Sequence, residues 1–133
     1  MIRAFVIAAL SVLFTQGAHA EGRDFVMNLD LKTTRPDGSI GYSINQRGLR
    51  LVADEVYAGQ RLGNLGYFLT LSGVDSGRGV LTIEFYEHAS RDPASGVIAE
   101  IVSTIAFELA RPTVFEAQAE TFGVDLAVSI SPR

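Results

Sequence analysis

Apolar and polar residues alternate with a period of two along most of the chain, the spacing that sends successive side chains of a strand to opposite faces. Phe25, Met27, Leu29 and Leu31 alternate with Val26, Asn28, Asp30 and Lys32. Arg35-Pro36-Asp37-Gly38 predicts a turn, since proline presets φ and glycine accepts the positive φ that closes it. Ile40, Tyr42 and Ile44 run on to a second predicted turn near Gln46-Arg47-Gly48. Residues 49–57 fit two periods, with Leu51, Val52, Glu55 and Val56 also falling on one helical face. A strand is expected there, because the hairpin before it needs a partner. Residues 59–63 read as a loop and 65–71 as a strand. Asp75-Ser76-Gly77-Arg78-Gly79 carries the clearest turn signal. In residues 80–88, Leu81, Ile83 and Phe85 occupy one face, and Thr82, Glu84, Tyr86 and His88 the other. Residues 90–96 read as a loop.

Residues 97–109 satisfy both periods, but valine, isoleucine and threonine dominate, and β-branched side chains favour a pleated surface. A strand is predicted. Residues 113–120 stay open between two readings. Thr113 and Glu116 have the spacing of a capping box with Gly123 beyond it, while Val114 and Glu116 against Phe115 and Ala117 fit a strand. Val124, Leu126, Val128 and Ile130 alternate with Asp125, Ala127 and Ser129 and predict a last strand ending near Pro132. Seven or eight strands joined by short turns predict an all-β domain. The expected form is a single antiparallel β-sandwich, Ig-like or a partly closed barrel. The alternation in residues 110–114 and 123–132 resembles small β-domains of exported bacterial proteins and brings no functional motif with it.

The first residues change the picture. Arg3 is followed by an apolar run over residues 4–14, then Thr15-Gln16-Gly17 and Ala18-His19-Ala20. A positive start, an apolar centre and small residues at −3 and −1 are the marks of a signal peptide. As a helix the apolar run would rise about 16 Å, too little for a ~30 Å hydrocarbon core. Residues 1–20 are therefore expected to be cleaved, leaving 21–133 as one exported domain, periplasmic or secreted, without a transmembrane anchor.

Composition narrows the function. Eleven basic residues face 15 acidic ones, for a net charge of −4. Lys32 is the single lysine, and the arginines are scattered, which argues against nucleic acid. The absence of cysteine excludes disulfides, thiol nucleophiles and cysteine–zinc sites. An exported domain without disulfides must rely on its core.

Candidate chemistry is sparse. His88 is the one histidine after residue 20, and Ser90 and Asp92 stand too close to it in sequence to build a triad. If residues 80–88 and 97–109 form a hairpin, one register sets Glu84 opposite Glu100 on the outer face, with His88 on the same face. Such a carboxylate pair needs a cation or a shared proton between its members. A shift of two residues removes it. Asp75-Ser76-Gly77-Arg78-Gly79 lacks the alternating acidic ligands of a calcium loop, and no phosphate-binding loop or other cofactor motif is present. Tyr42, Tyr57, Tyr67 and Tyr86 could serve recognition, Tyr86 foremost because Thr82, Glu84 and His88 share its face. Tyr86, Glu84, His88 and Glu100 are thus the candidate binding residues. Strand 24–32 is expected at a sheet edge, where another chain could extend the sheet.

The sequence favours a non-enzymatic module that binds another envelope or extracellular protein, with no cofactor and no metal. A periplasmic carrier of an apolar molecule or sugar, its cavity lined by Phe68, Phe85, Phe107 and Phe115, is a second expectation. A small hydrolase using Glu84 and Glu100 is the third.

Overall fold

The period-two runs form eight strands: β1 (Asp24–Thr34), β2 (Ile40–Val52), β3 (Tyr57–Ala58), β4 (Leu65–Asp75), β5 (Arg78–His88), β6 (Val97–Glu108), β7 (Thr113–Gln118) and β8 (Gly123–Pro132). The computed structural model describes residues 23–133, so the leader read in residues 1–20 lies outside the described residues. Among the described residues no helix is long and apolar enough to cross a membrane.

Two four-stranded antiparallel sheets, ordered β2-β1-β8-β7 and β3-β4-β5-β6, make a β-sandwich. Within each sheet, strands consecutive in sequence lie side by side, and β8 returns to pair with β1 from Phe25 opposite Pro132 to Thr34 opposite Gly123. The order is sequential, without the long return connection of a Greek key. One consequence matters for function. Loops 35–39, 59–64, 89–96 and 119–122 all gather at one end, and the strand ends at residues 24 and 132 lie at the other.

Alternation decides what is buried. Phe25, Met27, Leu29 and Leu31 of β1 meet Leu69 and Leu71 of β4, Leu81, Ile83 and Phe85 of β5, and Leu126, Val128 and Ile130 of β8 in one continuous core. Each such side chain, fully buried, contributes about 1.5–3 kcal/mol. Tyr67 belongs to this core at 1% exposure, its ring stacked on Phe85 with centroids 5.5 Å apart. Of the phenylalanines expected to line a carrier's cavity, Phe85 and Phe107 are buried in the core and Phe115 is half-buried against it. Phe68 instead lies on the outer face, its ring 6.1 Å from that of Tyr86.

Residues 97–109 form a strand as expected, and residues 113–118 take the strand reading, with Phe115 and Ala117 turned toward the core and Val114 and Glu116 outward. Two expectations need correction. The turn expected near Gln46-Arg47-Gly48 is a β-bulge inside one continuous strand, where Arg47 and Gly48 together oppose Asn28. Gly48, at φ +69°, donates its N–H to Asn28 Oδ1 at 3.0 Å. A glycine able to take positive φ serves a bulge as well as a turn, and the sequence does not separate the two. The strand expected over 49–57 stops at Val52, and Asp54, at φ +67°, bends the chain across to the other sheet.

Candidate functional site

The outer face of the β4-β5-β6 sheet carries the residues singled out in the sequence. Three side-by-side rows cross it: Thr70, Thr82 and Thr104; Phe68, Glu84 and Val102; Gly66, Tyr86 and Glu100. Glu84 therefore faces Val102, and the expected Glu84–Glu100 pair is not formed. The register sits two residues from the one that would make it. A bulge at the end of the hairpin, where Glu87 pairs with Ala99 and His88 with Val97, leaves Ile98 as an extra residue on β6 and accounts for one residue of that difference.

Tyr86 and Glu84 do meet. The Tyr86 hydroxyl donates to Glu84 Oε1 at 2.5 Å. That bond, followed by partial burial and the negative charges of Glu84 and Glu100, pushes the phenol up to about 12. A proton that must be given up to break the bond is held more tightly. His88 does not join them. Its Nδ1 lies 2.9 Å from the Ser95 carbonyl, and its backbone N–H donates to Asn64 O at 2.9 Å, so it closes the 89–96 loop. Among the described residues no group of three or more histidine, aspartate or glutamate side chains could hold a metal ion. The Tyr86–Glu84 pair is a hydrogen-bonded patch on a sheet face.

The expected edge also moves. β1 lies between β2 and β8, so strand 24–32 is central in its sheet. The edges are β2 and β7 in one sheet and β3 and β6 in the other. They are protected to very different degrees. β2 is bent by the Arg47-Gly48 bulge and fenced by the ion pairs Arg47–Asp30 and Arg50–Asp24 at 3.2 and 3.0 Å. The strand next to it across the seam, β4, is covered by β3 and by Asp54, whose N–H donates to Leu71 O at 2.7 Å. Bulges, charges and covering loops are the devices that blunt an edge.

β6 carries fewer of them. It is 12 residues long, VIAEIVSTIAFE, without proline, lysine or arginine; its charges are Glu100 and Glu108, the latter 3.8 Å from Arg111, and its one irregularity is the bulge at Ile98. Val97, Ile98 and Val102 are exposed, at 49%, 56% and 53%. β7, the next strand in the chain, belongs to the other sheet, and among the described residues no backbone hydrogen bond joins the two strands. Along this seam the inward-facing Ile105, Phe115 and Ala117 are half-buried, as Ile44, Leu49 and Tyr57 are along the other, while Ile101 and Phe107 of β6 are buried. The result is a long edge whose outer side pairs with no strand among the described residues. The sequence signal for it was present in the β-branched run 97–105, but only the strand order shows that the run lies at an edge. No family model, curated protein or solved structure matches the chain.

Proposed function

We propose that the chain is an exported, non-enzymatic binding module of the bacterial envelope, which holds an extended segment of another envelope or extracellular protein along β6. The observation that carries this reading is the contrast between two edges: β2 is bulged and fenced by two ion pairs, whereas β6 is 12 residues long, unpaired on its outer side, and exposes Val97, Ile98 and Val102. In strand addition, main-chain hydrogen bonds supply affinity and alternate side chains fill pockets. Here the free side of β6 supplies the hydrogen-bonding groups, and the exposed Val97, Ile98 and Val102 offer apolar neighbours to an incoming strand. The leader expected from residues 1–20 supports a partner outside the cytoplasm, and the separation of Glu84, Glu100 and His88 supports binding over turnover.

The test places a photo-cross-linking amino acid at Val102, or at Arg50 on the guarded side, in cells that export the protein. Cross-links from Val102 should concentrate in one saturable partner, and a β6 bearing Ala106→Lys should lose them. Arg50 should give none to that partner. Equal labelling from both positions, or labelling indifferent to Ala106→Lys, overturns the reading. An exposed substitution of this kind changes stability by no more than about 0.5 kcal/mol, so loss of the cross-link is not loss of the fold.

A further inference from the structure

The four loops gathered at one end close around a cleft of about 280 Å³, lined by Arg35, Tyr42, Asn64, Glu87, Arg91 and Thr121 among others. Each of the four loops, or the strand end beside it, contributes. The cleft is tied together rather than left to chance. Arg61 donates from Nε to Arg91 O at 3.3 Å and from Nη2 to Asn64 O at 3.4 Å, joining loops 59–64 and 89–96. Glu87 of β5 accepts the Thr121 hydroxyl, joining the two sheets. Tyr42 packs against Gly63, where a Cβ would stand 2.3 Å from the phenol oxygen, and Gly63 holds φ +63°. Only glycine satisfies both demands there.

Arg35 is set in place from one side. Its Nη1 donates to Ile40 O at 2.8 Å and Ser39 Oγ at 3.2 Å, leaving its other nitrogens without a partner among the described residues. The Arg91 side chain likewise has no hydrogen bond or ion pair among the described residues. Two guanidinium groups thus line a cleft with one carboxylate, and that carboxylate already receives a hydroxyl with oxygen lone pairs to spare. A guanidinium fork matches a carboxylate, while a carboxylate accepts from a hydroxyl or an ammonium.

We infer that this mouth binds a small carboxylate that also carries a hydroxyl or amino group, its carboxylate on Arg35 and Arg91 and its donor on Glu87. The site is independent of the β6 edge and takes a different class of ligand. Mouths of β-barrels and clefts with few convergent polar groups are where small ligands are commonly held.

The test is backbone-amide NMR of the purified protein titrated with sodium lactate, glycine, propionate and inorganic phosphate. Lactate or glycine should produce saturable shifts in residues 59–64, 89–96 and 119–122. Propionate, which has the carboxylate without the donor, should bind about tenfold more weakly, the scale of one hydrogen bond to a charged group. Arg91→Gln should weaken lactate at least about tenfold with core amides unmoved, and Glu87→Gln should narrow the gap between lactate and propionate. No saturable shift with either lactate or glycine overturns the inference. So does phosphate binding as tightly as lactate, which would mark a general anion patch. Neither result touches the strand-addition reading, which Ala106→Lys tests at β6.

Discussion

The ring of Tyr67 lies directly over Gly59: a Cβ built on that glycine would stand 2.1 Å from Tyr67 Cζ and 2.3 Å from Cε2. The contact is held from both sides. Gly59 donates its N–H to Tyr67 O at 2.9 Å, and the ring is stacked against Phe85 within the core. Neither partner can retreat. Gly59→Ala should therefore cost about 3 kcal/mol, the upper part of the range for overpacking, visible as a lower urea midpoint with an unchanged m-value. A loss below 1 kcal/mol in that experiment would mean that the loop bearing Gly59 gives way.

Tyr67 yields a second expectation of opposite sign. Its hydroxyl is buried and without a hydrogen-bond partner among the described residues. Burial foremost, and then the neighbouring Tyr57, push the phenol up to about 12, while the Gln60 backbone acts in the opposite direction. An unsatisfied buried hydroxyl costs roughly 1–3 kcal/mol, so Tyr67→Phe should leave the protein as stable as before or more so at neutral pH. The pH dependence follows from the same shift. The folded phenol titrates above the unfolded value near 10, so the folded state is favoured in full below pH 10. That advantage is lost as pH rises from 10 through about 12. Unfolding curves taken across this alkaline range should fall less steeply for Tyr67→Phe than for the parent. Parallel curves would place Tyr67 outside the alkaline transition.

Thr33 supplies the third expectation. It is the one buried polar residue of the described chain, at 4% exposure, and its Oγ1 accepts the Tyr42 N–H at 2.9 Å where the β1–β2 ladder slips. Thr33→Val keeps the shape and removes the acceptor, which leaves a backbone N–H unpaired. Thermal or urea unfolding should show a loss of about 1–3 kcal/mol, most of it recovered by Thr33→Ser. If valine and serine prove equivalent, water supplies the missing partner.

Much of this architecture is legible in the residues. The alternation of Leu81, Ile83 and Phe85 fixes the inner face of β5, and Ser76-Gly77, at φ +54° and +77°, is the tight hairpin its composition announces. What the residues conceal is relational. Gly48 reads as the end of a strand and is a bulge within one, since the same positive φ serves both. Glu84 and Glu100 read as possible neighbours because the register depends on the loop and on the Ile98 bulge together, neither of which local propensity marks. Tyr67 reads as one of four tyrosines that could serve recognition, though its strand position turns it inward. The mouth is hidden for another reason: Arg35 and Arg91 are far apart in sequence, and only the sequential strand order brings their loops to one end.

The pairing of β1 with β8 also sets how the molecule meets force. Phe25 lies opposite Pro132, and Arg133 donates its N–H to Asp24 O at 3.2 Å, so the two strand ends leave the sandwich side by side. Tension applied between them acts at the first rung of an antiparallel ladder and loads its hydrogen bonds one after another. Pulled this way, β1 and β8 come apart like a zipper, from Phe25 toward Thr34. Pulled instead between residue 24 and the loop at 119–122, the same rungs share the load and must fail together. The molecule is soft along one axis and stiff along the other, although every bond in the ladder is of the same kind.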